Sequence, residues 1–96
     1  MTARVLTLLL VLMAPLAIAA DVDAGRDLHR DNCVACHQSL MNGDAALIYT
    51  RSDRKITSFP SLLAQVRRCE ANLGLQWFDE DVANVAAFLN ASYYRF

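Results

Sequence analysis

NCVACHQ, residues 32–38, sets two cysteines three positions apart with a histidine directly after the second. Three chemistries use thiols and an imidazole at this spacing: a redox dithiol, a zinc site and the covalent attachment of a haem. The chain on either side discriminates among them.

Upstream, the sequence opens MTARVLTLLLVLMAPLAIAA. Arg4 supplies a positive charge, Val5 to Met13 an apolar run, and Ala17-Ile18-Ala19 a small-residue cleavage pattern. That is the build of a secretory signal peptide, and the run is too short for a comfortable membrane span. The expected division is a signal peptide over residues 1–20 and one domain over residues 21–96. The domain is expected in the periplasm, with no membrane attachment once the leader is removed.

The remaining domain is under ~80 residues, a size at which a hydrophobic core alone is marginal and a staple is expected. The chain has three cysteines, so a pure disulfide framework leaves one over. A large apolar group inside the domain would serve instead, because chain packed around it is removed from water. The full chain carries nine basic and ten acidic residues, and loss of Arg4 leaves the domain slightly acidic. No basic stripe marks nucleic acid as a partner.

Residues 21–32, DVDAGRDLHRDN, read as a short helix capped by Asp21 or Asp23, with Val22, Leu28 and His29 inward. Residues 37–57 keep no period. Asn42-Gly43-Asp44 is a turn signal, and the segment is expected to be a loop over a site, anchored by Leu47, Ile48 and Tyr49. Residues 58–74 read as a helix with Ser58 or Ser61 as cap, Pro60 in the first turn and Gly74 as stop. Leu62, Val66, Cys69 and Leu73 form its apolar face, with Arg67, Arg68 and Glu70 elsewhere. Residues 77–96 read as the last helix. Asp79 to Asp81 crowd its first turn, and Val82, Val85, Ala86 and Leu89 form its inner stripe, continued by Tyr93. No strand of real length is indicated, so the class is all-α, with three or four short helices.

A thioredoxin-like dithiol needs a βαβ setting, and no strand offers one. Cys33, Cys36 and Cys69 with His37 or His29 would make a Cys3His zinc set, but no second paired-ligand motif accompanies the first. C-x-x-C-H after an export leader and a short helix fits haem attachment. The thiols of Cys33 and Cys36 add to the two vinyl groups, and His37 is placed to be the proximal iron ligand.

Gly25-Arg26-Asp27-Leu28-His29 leading into Cys33–His37, together with VANVAAFLN (residues 82–90), resembles the first and last helices of the class I cytochromes c. The resemblance implies a cytochrome c-like domain around one covalent haem c and its iron. It implies that these two helices cross, with Gly25 and Phe88 as the expected contact. It also implies electron transfer with redox partner proteins rather than enzymatic activity. The likeness covers both ends of the domain and is poor in the middle. The family's second axial ligand is a late methionine, and no methionine follows Met41.

Several side chains compete for that sixth position. Met41 lies four residues past His37, and roughly 13 to 14 Å of extended chain barely reaches around a macrocycle. His29 precedes Cys33 by one helical turn and would have to cross the haem. Cys69 lies on the inner face of its helix, where it is a distal ligand, a small core residue or one end of an intermolecular disulfide. An open sixth position lined by Tyr49, Arg67 or Trp77 makes the protein a haem-based binder or sensor of gas or peroxide, or a small haem subunit of an oxidoreductase complex. Arg51, Arg54 and Lys55 form a basic cluster that docks an acidic redox partner, pairs with haem propionates or is simply solvated. The tail Tyr93–Phe96 is expected to pack on core and rim.

Overall fold

The computed structural model describes residues 20–96, so all but the last residue of the expected leader lies outside the described residues. Five α-helices follow one another: α1 (Val22–Asn32), α2 (Val34–Leu40), α3 (Leu47–Thr50), α4 (Phe59–Leu73) and α5 (Asp79–Leu89). A π-turn, Asn90–Tyr94, extends α5. No strand occurs among the described residues, and the all-α class holds with two more helical pieces than the periodicity revealed.

The frame is the crossing of α1 and α5. Asp21 caps α1, its Oδ1 accepting from the Ala24 N–H at 3.0 Å, while its own N–H donates to Asn84 Oδ1 at 2.8 Å. Gly25 faces the backbone of α5 so closely that a Cβ there would stand 1.9 Å from the Asn84 carbonyl oxygen. The expected crossing of the first and last helices is present, with the closest approach to Gly25 made by backbone. The helices cross at the level of Asn84 and Val85, and Phe88 lies one turn further along. There it packs on the His29 ring, with centroids 5.4 Å apart, and beneath the Arg26 guanidinium.

The helix α4 starts and stops where its punctuation dictates. Ser58 Oγ accepts from the Ser61 N–H, Pro60 occupies the first turn, and Gly74 ends the helix with φ +67°. Leu62 and Val66 are buried against Val82, Val85, Ala86 and Leu89 of α5. Two positions differ from the apolar-face reading: Leu73 is exposed and Glu70 is buried. Glu70 accepts from Arg67 Nη1 at 3.0 Å and from the Trp77 N–H at 3.3 Å. These partners compensate the burial of its charge.

The middle of the chain is more ordered than a loop. Cys33 ends α1 and begins α2, whose hydrogen bonds run straight through the motif: His37 N–H donates to Cys33 C=O at 3.1 Å, and Met41 N–H to His37 C=O at 3.1 Å. Asn42 and Gly43 then reverse the chain with φ of 54° and 97°, and α3 is a single turn. The last helix is shorter than residues 77–96. From Asn90 the backbone widens into the π-turn, which buries Tyr94 and leaves Tyr93 half-buried.

Candidate functional site

The helices α2 and α4, the segment around α3 and the inner face of α5 enclose a cavity of about 390 Å³, within the size range of ligand sites. Cys33, Cys36 and His37 line one part of it, and Cys69 also reaches it. Because α2 is helical from Val34, Cys36 and His37 follow Cys33 by about one turn, and all three side chains reach the same cavity. Ile48, Ile56, Leu62, Val66, Trp77 and Leu89 supply apolar wall.

All three cysteines are free thiols, Cys33 and Cys69 half-buried and Cys36 exposed. Burial pushes the Cys33 thiol up to about 11, with the neighbouring Cys69 and Cys36 adding to the shift. Among the described residues no cluster of three or more His, Cys, Asp or Glu side chains converges to hold a metal ion.

The histidine of the motif is held from behind. His37 Nδ1 lies 2.5 Å from Tyr49 Oη, and the same hydroxyl lies 2.7 Å from His29 Nε2. Tyr49 and His29 are each 5 % exposed. Burial raises the Tyr49 hydroxyl well above its ordinary range. Burial, followed by the nearby His37, pushes His29 down to about 4. Both groups are therefore neutral at pH 7. The Tyr49 ring is stacked on Tyr93 at 5.2 Å and meets Tyr94 edge-on at 5.9 Å, an arrangement that the π-turn provides.

The other candidates separate cleanly. Met41 is not among the side chains lining the cavity, whereas His29 does line it, with its Nε2 engaged by Tyr49. Arg67 is turned away to Glu70, to the Trp77 carbonyl and to Asp79, whereas Trp77 does line the cavity. Cys69 accepts from Gln65 Nε2 at 3.3 Å. The basic cluster divides: Arg54 packs over the Tyr94 and Phe96 rings, while Arg51 and Lys55 reach the cavity. Arg51 Nε is buried without a hydrogen bond, the nearest Asp53 oxygen standing 3.5 Å away.

These features fit a haem. Two thiols and an imidazole meet on an apolar cavity, as C-x-x-C-H attachment requires. The unsatisfied Arg51 donor at the same cavity suits an anionic carboxylate such as a propionate. The sequence reads Tyr49 as an apolar loop anchor or as lining for an open sixth position, and its contact with both imidazoles is not legible there. Its partners lie twelve and twenty residues away, beyond any periodic signal.

By sequence, the chain is 32% identical over 84 residues to cytochrome c6 of Gracilaria tenuistipitata var. liui, a match that covers 77% of this chain and 75% of that one. No family model matches the chain. No solved structure matches it.

Proposed function

The chain belongs to the small c-type cytochromes, and on that premise we propose that it is a periplasmic electron carrier with one haem c bound through Cys33, Cys36 and His37. The observation that carries this reading is the meeting of those three side chains at one apolar cavity. The bound iron would supply a one-electron couple tuned by its ligands and their surroundings. The protein's own contribution is to tether, to shield and to orient. Cys33 and Cys36 fix the macrocycle edge, His37 provides the proximal nitrogen, and the apolar wall from α4 and α5 lowers the local dielectric. Arg51 and Lys55 receive the propionates. The partners are other redox proteins, and the leader expected over residues 1–20 directs export.

Cys69 is the protein's own candidate for the sixth ligand, because it reaches the same cavity and the chain has no late methionine. The absence of that methionine also favours a second reading, in which the sixth position is open and the protein binds a small gas or peroxide, or serves as a haem subunit of a larger oxidoreductase.

Optical spectra of the mature protein, made with a haem-attachment system, test both. A low-spin ferrous spectrum unmoved by carbon monoxide is the expected result for the carrier. A ready shift with carbon monoxide would overturn it in favour of the binder. Absence of covalent haem would overturn both.

A further inference from the structure

Tyr49 is a buried hydroxyl placed between two imidazoles, 2.5 Å from His37 Nδ1 and 2.7 Å from His29 Nε2. A phenol has one proton, so it donates to one ring and accepts from the other. If His37 binds iron through Nε2, that nitrogen carries no proton and Nδ1 must carry one. His37 Nδ1–H then donates to Tyr49 Oη. The hydroxyl proton of Tyr49 is left to donate to His29 Nε2, which fixes the His29 proton on Nδ1. The opposite order, with Tyr49 donating to His37 Nδ1, would put the proton on His37 Nε2 and block the metal-facing nitrogen. Only one direction of the chain of hydrogen bonds is compatible with ligation.

We infer that Tyr49, backed by His29, is a positioning residue for the proximal ligand: it holds His37 in the ligating tautomer and ring orientation and increases the electron density the imidazole offers to iron. The inference rests on the reading of His37 as the axial ligand. A partner that accepts the outer N–H of a ligating histidine raises its basicity. Here that partner is polarised in turn, because its own proton is donated to His29. A more basic proximal nitrogen favours the ferric form, so the arrangement lowers the reduction potential.

The hydroxyl is built into place. Its ring lies between Tyr93 and Tyr94 of the π-turn, and its carbonyl oxygen accepts from Arg54 Nη1 at 3.0 Å. His29 is equally fixed, its ring 5.4 Å from that of Phe88. The C-terminal segment, far in sequence from the motif, thus sets where the acceptor for His37 stands.

The test compares haem-loaded wild type with Tyr49→Phe, which keeps the ring and removes the oxygen, and with His29→Phe, which keeps Tyr49 and removes its acceptor. The expected result is a higher midpoint potential in Tyr49→Phe and a smaller rise in His29→Phe. In 15N-labelled ferrous wild type, the His37 Nδ1 proton should exchange slowly in D2O, and in Tyr49→Phe it should exchange rapidly. A purely structural role for Tyr49 would alter stability without moving either signal. Equal potentials in all three proteins, or rapid Nδ1 exchange in the wild type, would overturn the inference. Should Tyr49→Phe fail to mature, His29→Phe and wild-type exchange still decide it. Failure of the underlying reading is seen separately, as a wild type without covalent haem or a His37→Ala protein with an unchanged spectrum.

Discussion

Arg54 lies over the Tyr94 ring, 4.9 Å from its centroid, while its Nη1 donates to the carbonyl oxygen of Tyr49. One side chain ties the C-terminal π-turn to α3. Arg54→Leu removes the cation–π contact and the hydrogen bond together, and should cost about 1–2 kcal/mol. Arg54→Lys keeps the charge without the planar guanidinium and should recover only part of it. Urea unfolding of the haem-loaded protein measures both, and an unchanged midpoint in Arg54→Leu would show that packing alone holds the tail.

A methyl group on Gly25 would collide with the Asn84 carbonyl oxygen, a backbone atom that no rotamer change can remove. Gly25→Ala must push α1 and α5 apart. The expected cost is about 3 kcal/mol or more, which for a domain of this size lowers Tm by more than about 10 °C. Gly43→Ala serves as the control. It meets no atom within 4 Å, and its strained φ should cost only about 1 kcal/mol. Similar Tm values for the two variants would contradict the close crossing.

His29 is kept neutral by the fold, its value pushed from the ordinary 6.5 down to about 4. The unfolded chain takes up a proton near pH 6.5 that the folded chain refuses until about pH 4. This contribution to stability is complete above pH 6.5, is lost as the pH falls through that window, and is absent below it. For one proton the slope cannot exceed about 1.4 kcal/mol per pH unit. Denaturant midpoints between pH 7.5 and pH 4 should fall on acidification, and His29→Phe should flatten the curve. A wild-type curve as flat as that of the variant would exclude His29 as the source.

Cys69→Ser separates ligand from lining. A thiolate bound to iron would be replaced by a far weaker donor, changing spin state and raising the potential. A lining thiol held by Gln65 would leave the spectrum in place and lower stability by about 1 kcal/mol. Optical and electron paramagnetic resonance spectra of the ferric form distinguish the two results.

The parts of this fold that could be read in advance are those with local chemistry. Ser58, Pro60 and Gly74 bracket α4 because capping and left-handed backbone depend on the residues themselves. The inner stripe of α5 shows in its spacing. By contrast, α2 hides within the motif, since Ala35, Cys36, His37 and Gln38 carry no apolar period. A carboxylate such as Glu70 reads as an outward residue, and its partners Arg67 and the Trp77 N–H become evident only when the chain after Gly74 turns back on α4. The resemblance pairs Phe88 with Gly25, and the structure adds the backbone contact at Asn84, which no sequence pattern marks. Cys33, Cys36 and His37 carry their signal in their own spacing. Tyr49 carries none, because two distant imidazoles give it its partners.

The packing of α1 on α5 joins the first of the described α-helices to the last. A growing chain therefore completes Cys33–His37 well before Asn84 exists to receive Gly25. Until α5 packs on α1, Gly25 meets no backbone and the side of α1 that leads into Cys33–His37 stays open to solvent. The glycine contact that makes the final structure tight is thus also a closure that waits for the last of the described α-helices.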